Sequence, residues 1–531
     1  YSKYLSFRGT LDKVYVFDHD FFLPVSNGYI FALGDEGITT ASGNPARDVN
    51  DGNYLNSSSL EMGFYQHSGM PGGVTSIEIR YMPLPYFTLR NLRTINLCIE
   101  HIDDITDATD SQKNELLGQA YFYRAWNYFQ LIRRFGGMFL FDKSFDSNSI
   151  MDLPRLSYHE STEWLIGDLD KAINLLPDVW PEAERGRATK TAAMALKGMA
   201  LLYAASPNMN ENLKYNEDYC QRTIDATWAT LQHIKSTGLF KLMPGTNVED
   251  YSKIFYSKIQ LVSDEAIFYK MTLANSSEPG VPAVGSWNAC FNPNTRESGN
   301  VHIASPTQNF IDFFETSNGL AIEDDPTYNS QDPYLNRDPR FYYDILYNGL
   351  EWNKGAPASH KKLEFWEKDD FENRRSNDLQ ANSYPPRSPY GIRKWLPETC
   401  NKWDNDYKYY MQSIHIRVAQ LYLDFAEAAN VLYGPTTVVP GTTMSALDAI
   451  NIIRERVGQK PVNSRYLVSK EAFQKRIYNE RTIELCFENH RWHDIRRWRI
   501  AKEVLKEIRK AYITRTGEDT YSYQYVRIAD N

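Results

Sequence analysis

The sequence predicts a mainly α-helical protein: a scaffold of stacked helix hairpins carrying a large loop-rich lobe. Three observations carry that expectation. Apolar residues recur at helical spacing from about residue 87 to 236 and again from 412 to 509. Cap-type residues and glycine stops cut those stretches into lengths close to tetratricopeptide-like hairpins. Between them, residues 240–411 lack a sustained helical period and are dense in Pro, Asn, Gly, Trp and Tyr. So long an irregular stretch inside a compact protein is usually functional.

Taken in order, residues 1–75 read as irregular, because GDEGITTASGNPARDVNDGNYLNSSS (34–59) is loop chemistry. A first helix is expected over about 87–102. A second starts behind the cap-like Asp110/Ser111, carries LLGQAYFYRAWNYFQLIRR and stops at Gly136-Gly137. Helices near 159–176, 188–205 and 217–236 follow. TKTAAMALKGMALLYAA (189–205) is rich in Ala and Gly, which lets a neighbouring helix approach closely. Helical patterning returns at 412–433, 444–457 and 471–509.

The last of these contains ERTIELCFENHRWHDIRRWR (480–499). On one continuous helix, Arg481, Glu484, Glu488 and Arg491 share a sector flanked by large apolar groups. The pairs Arg481–Glu484 and Glu488–Arg491 are i,i+3 neighbours, so each pair is expected to bond within the helix. Charges between apolar faces are buried only when paired, so the sector reads as a structural ion network. A metal held by His490 and His493 lacks a third ligand. A nucleic-acid stripe is disfavoured because acids interleave with the arginines.

A chain of 531 residues exceeds the usual single core, so two or more lobes are expected. A net charge of −9 argues against a general binder of nucleic acid or anionic membrane. Five widely spaced cysteines without a CxxC indicate neither a disulfide framework nor a zinc site. DNDY (404–407) lacks the ligand spacing of a calcium loop, and neither a metal nor a cofactor is expected. No apolar run reaches the roughly 18–20 residues that cross a bilayer. The first residue is Tyr1, so the chain reads as a processed or truncated product. Aromatic residues make up 14 % of the chain, and many lie in Gly/Asn/Pro-rich loops that core packing does not obviously require.

RNLRTINLCIEHI (90–102) and GQAYFYRAWNYFQLIRRFGGMFLF (118–141) resemble the N-terminal signature of SusD/RagB proteins. SPYGIRKW (388–395), IRVAQLYLDFAEAAN (416–430), ALDAINIIRERVG (446–458) and the 480–498 run are similar to that family's later signatures, in the same order. The resemblance implies about four tetratricopeptide-like pairs, with the variable lobe inserted before the third pair is completed. Helix 217–236 would then join 412–433 across the insertion. The chain divides into an irregular segment, 1–86, contributing to the ligand face; scaffold, 87–239; variable lobe, 240–411; and scaffold again, 412–531.

The resemblance further implies a non-catalytic lipoprotein on the outer-membrane surface that binds oligosaccharide or polysaccharide and delivers it to a SusC-like TonB-dependent barrel. The lipid-bearing Cys would precede Tyr1. A peptide-binding RagB-like lid is the alternative, and a glycoside hydrolase a distant one, since sequence alone does not exclude a suitably spaced carboxylate pair. A sugar offers apolar ring faces and a rim of hydroxyls, which call for flat aromatics beside fixed amides or guanidinium groups. Two stretches fit. IRYMPLPYF (79–87) supplies Arg80, Tyr81 and Tyr86; GSWNACFNPNTRESGN (285–300) supplies Trp287, Asn288, Phe291, Asn292 and Arg296. Trp352 and Trp366 are further candidates.

Overall fold

The computed structural model describes residues 2–16, 30–39, 84–146, 148, 152–258, 262–270, 304–352, 354–372, 376, 378–379, 386–400, 403–404, 406, 409–411 and 413–528. Among them the chain is mainly helical. Helix α1 is Tyr4–Val16, α2 Leu84–Glu100, α3 Asp110–Phe135, α4 Tyr158–Leu175, α5 Lys190–Ala205 and α6 Glu217–Thr237. The scaffold resumes with α7 Val418–Tyr433, α8 Ala446–Arg456, α9 Lys470–Glu484 and α10 Arg491–Arg497. Helix α1 lies within a segment that the sequence reads as irregular. It forms because Phe7, Leu11 and Val14, at i, i+4 and i+7, share a face buried in the scaffold core.

The helix starts are written in side chains. Thr109 and Gln112 make a capping box at α3, one residue ahead of the expected Asp110/Ser111 cap. Ser157 with Glu160 and Ser445 with Asp448 do the same at α4 and α8. Each box satisfies backbone donors that the first turn leaves open, and a capping side chain is worth about 1 kcal/mol. Helix α3 ends at Gly136, whose φ of 81° favours glycine. At Gly137 the constraint is space: a Cβ there would lie 2.0 Å from the Leu156 carbonyl oxygen.

Helices neighbouring in sequence pack on one another from α2 through α6, and α6 then packs on α7. The chain therefore closes α6 against α7 across some 180 intervening residues (238–417). The Ala/Gly-rich α5 meets α6 at Gly198, where a Cβ would come within 2.9 Å of the Thr227 methyl. One hydrophobic core runs through this scaffold. A second, built around Phe255, Phe310, Phe341, Trp352, Trp366 and Trp395, fills the inserted lobe. The lobe's regular structure is brief: strand Ala266–Lys270 pairs with Ser413–Arg417, and Ile345–Leu346 with Gly391–Ile392.

The C-terminal region departs furthest from expectation. Residues 413–417 form a strand before α7 begins, not the first turn of a helix. The expected helix over 471–509 is interrupted: α9 stops at Glu484, and Phe487 and Asn489 adopt φ of 58° and 65° before α10. The Phe487 amide donates to Glu36 (2.6 Å), so the break is held by a carboxyl from the N-terminal segment. Beyond Val504 the chain turns to β structure. Arg509–Gly517 and Thr520–Arg527 form an antiparallel hairpin, and Lys368–Asp369 joins it in parallel. Ala511, Ile513 and Tyr523 point into the lobe's core. The alternation in KAYITRTGEDTYSYQYV (510–526) is the local signal for this hairpin, beyond the end of the expected helix at 509.

Candidate functional site

Arg417 occupies the last position of strand Ser413–Arg417, immediately before α7, and is 1 % exposed. Its guanidinium donates to Glu265 (2.6 Å), to the Glu484 carboxylate and carbonyl (2.7 Å each) and to both oxygens of Glu488 (2.8 and 2.9 Å). Lys394, from the lobe, donates to Glu488 (2.7 Å) and to the Glu484 carbonyl (3.0 Å). Arg340, also from the lobe, joins Asp338 (2.8 Å), Glu480 (2.6 Å) and Glu484 (3.0 Å). Arg454 of α8 reaches Glu480 (2.9 Å) and Glu315 (2.6 Å), and Arg456 pairs with Glu265 and Glu484. The carboxylates of α9 thus bind cations from both the lobe and the scaffold.

All four charges singled out in the sequence are buried and paired, but the i,i+3 partners are not the ones they take. Arg481 turns to Asp424 (2.5 Å) and Asp494 (2.9 Å). Glu484 and Glu488 face Arg417. Arg491 grips Asp35 with two bonds (2.7 and 2.6 Å) and Thr482 with a third (2.8 Å). For Glu488 and Arg491 the reason is the break after α9, at Phe487 and Asn489. Arg481 and Glu484 share α9 but are drawn to groups on other segments, Asp424 and Asp494 for one, Arg417 and Arg340 for the other. Arg340, Lys394, Arg417 and Asp35 went unrecognised, because each sits on a segment remote in sequence. The one local signal is Arg417 itself, an arginine inside the apolar run SIHIRVAQLYL.

Electrostatics follow the geometry. Burial would push the Glu488 carboxyl up, but Arg417 and Lys394 outweigh it and bring it down to about 2. Arg456 and Arg417 hold Glu484 well below the carboxylate range, again against burial. Burial takes His490 down to about 3, with Arg481 adding to the shift, and lowers His493 well below its ordinary value, with Arg133 adding. Among the described residues no cluster of three or more His, Cys, Asp or Glu side chains is arranged to hold a metal. The network's chemistry is that of a lock between lobe and scaffold. Removing one partner of such a buried pair typically costs about 3–5 kcal/mol.

The aromatic candidates divide. Trp352 and Trp366 are 1 % and 0 % exposed in the lobe's core, so neither offers a ring face to a ligand. Arg393 lies 5.2 Å from the ring of Trp352, and Arg515 5.9 Å from that of Trp366. They are packing residues because the lobe has a core of its own to fill, which its irregular sequence concealed. Arg80, Tyr81, Trp287, Asn288, Phe291, Asn292 and Arg296 lie outside the described residues. The backbone of Tyr86 is in the first turn of α2, and its side chain is outside them too. Gly37–Thr39 pairs antiparallel with Ala304–Pro306, with Thr39 opposite Ala304. In the chain, the first stretch (79–87) runs into α2, which begins at Leu84, and the second (285–300) precedes Ala304.

The described residues thus define a mainly helical scaffold clamped by buried charge to a lobe with a core of its own. Residues 264–530 match the family model described as SusD family, and residues 74–201 match one described as starch-binding, associating with outer membrane. The first match spans half of the chain, and the chain belongs to the SusD family. A relative from Formosa agariphila, SusD-like protein P25, is 23 % identical over 432 residues, covering 80 % of this chain and 71 % of that protein. A SusD-like carbohydrate binding protein from Bacteroides fragilis superposes with a TM-score of 0.70 at 21 % identity, over 100 % of this chain and 95 % of that one. A laminarin binding SusD-like protein does so with a TM-score of 0.61 at 18 % identity, over 95 % and 94 %.

Proposed function

We propose that this chain binds oligosaccharide or polysaccharide without altering it and hands it to a SusC-like TonB-dependent barrel in the outer membrane. Membership of the SusD family is the observation that carries the reading. Two further findings support it. The N-terminal family model is described as starch-binding and associating with outer membrane, and structural neighbours are described as carbohydrate binding and laminarin binding. In this reading Arg80, Tyr81, Tyr86, Trp287, Asn288, Phe291, Asn292 and Arg296 contact the sugar. Anchoring is through a lipid on a cysteine outside these 531 residues. The buried lock gives the reading a mechanical basis, because a lobe that presents ligand to a transporter must keep its position on the scaffold.

The test is calorimetric titration of the whole chain against laminarin-type, starch-type, N-acetylated and sialylated oligosaccharides, with short peptides alongside. Saturable heat with one glycan class and intact ligand afterwards is the expected result. Affinities in the micromolar to millimolar range, about −8 to −4 kcal/mol, suit a protein that passes its cargo on. Trp287→Ala should weaken that binding without changing the melting temperature. Saturation with peptides alone, or cleavage of the sugar, would overturn the reading.

A further inference from the structure

The scaffold carries a cavity of about 410 Å³ where α6, α7 and the start of α8 meet residues 241–242. That size lies within the roughly 300–1,000 Å³ of small-molecule sites. Its walls are apolar: Trp228, Leu231, Leu242, Val418 and Ile452. Trp228 is half-buried and backed by Phe425, with ring centroids 6.1 Å apart. The polar groups at this cavity are open to a ligand: Trp228 and Tyr422 are half-buried, Gln232 and Thr443 exposed. Trp228, Gln232, Tyr422 and Thr443 all line it, and among the described residues the side-chain polar groups of these four have no hydrogen-bond partner.

Charge decides what such a site prefers. Lys241 is paired with Asp264 (2.9 Å), and the remaining Lys235 is offset by Asp448, which also lines the cavity. The lining is therefore close to neutral, with open donors and acceptors around an indole. A groove of about 600 Å³ across α4, α5 and α6 makes the contrast. There the polar groups satisfy one another: Arg222 binds Glu163 (2.6 and 2.9 Å) and Lys197 binds Asp170 (2.6 Å). That groove has little hydrogen-bonding capacity left for a ligand.

We infer that the cavity at Trp228 and Tyr422 is a second carbohydrate site, on the helical scaffold, for a short neutral sugar. The indole and aliphatic walls take the C–H faces of the ring. Gln232, Tyr422 and Thr443 take its hydroxyls, since each offers both a donor and an acceptor. The inference rests on the carbohydrate-binding reading and adds a site built from residues other than those of 79–87 and 285–300. A scaffold site would hold one part of a long glycan while those stretches hold another, raising its effective concentration at each site.

The experiment is hydroxyl-radical footprinting of the full chain, read by mass spectrometry, with maltotriose, laminaritriose, xylotriose or N,N′-diacetylchitobiose. At a sugar concentration about ten times a millimolar dissociation constant, occupancy is roughly nine-tenths, so oxidation at Trp228 should fall by up to about tenfold. Gln232→Ala, an exposed change that leaves packing intact, should weaken the protection about three- to tenfold in apparent affinity, corresponding to one lost hydrogen bond. Protection of other aromatics with Trp228 unchanged would overturn the scaffold site and leave carbohydrate binding standing. No protection anywhere in the chain would overturn both. Protection at Trp228 that Gln232→Ala leaves untouched would overturn the assigned contacts.

Discussion

Arg491 is the sharpest place to test the lock. It is 4 % exposed, and its guanidinium makes two bonds to Asp35, itself 0 % exposed, and one to Thr482. Arg491→Met keeps most of the side-chain volume and removes all three bonds. A buried carboxylate is then stranded, which costs about 3–5 kcal/mol. At about 2.1 cal/mol/K per residue, 531 residues unfolding as one unit carry an unfolding entropy of roughly 1.1 kcal/mol/K, so the melting temperature should fall by about 3–5 °C. If the lobes melt separately, the shift concentrates in one transition and grows. Differential scanning calorimetry reads either case. Adding Asp35→Asn to the variant removes the stranded charge and should restore most of the loss. A single variant within about 1 °C of the parent would refute the reasoning, as would a double variant no better than the single, because a penalty below about 1 kcal/mol belongs to exposed pairs.

Three other outcomes are expected. Burial pushes Asp344 up to about 7 and Glu36 up to about 8, so in the folded state both keep protons that the unfolded chain releases near pH 4. Their cost is absent below about pH 4 and grows until pH passes the folded values. Stability should therefore decline from about pH 5 to 8, and Asp344→Asn with Glu36→Gln should flatten that decline in denaturant titrations; an unchanged slope counts against it. Glu488 acts in the opposite sense: its contribution is full above the ordinary carboxylate range and is lost as pH falls toward about 2, so Glu488→Gln should be less acid-sensitive than the parent between about pH 5 and 2. Trp366→Ala should cost about 3–5 kcal/mol of stability by opening a cavity in the lobe's core, and a melting temperature equal to the parent's would return that residue to the surface.

Local chemistry made the helical half of this protein legible. The stop at Gly136-Gly137 is legible where it falls and the start of α3 within a residue or two, because a cap acts on its own few neighbours. The boxes at Thr109/Gln112, Ser157/Glu160 and Ser445/Asp448 are the structure's own detail. The family signatures were legible for a related reason, being runs of contiguous residues. The C-terminal run defeated the same logic. Its charges lie at helical spacing, yet Glu484 and Glu488 answer to Arg417 and Lys394, and Arg491 to Asp35, all far away in the chain.

Sequence by itself thus determined the fold class, the scaffold helices between about 87 and 236 to within a few residues, and the burial of Arg481, Glu484, Glu488 and Arg491. Only tertiary structure decided which cation each carboxylate meets, that Trp352 and Trp366 are core, and that Trp228 and Tyr422 share a cavity. A cap is satisfied within one turn. A buried ion pair or a cavity wall is completed by whichever segment the fold brings beside it, and that choice minimises the desolvation cost of the whole assembly, not of any one helix.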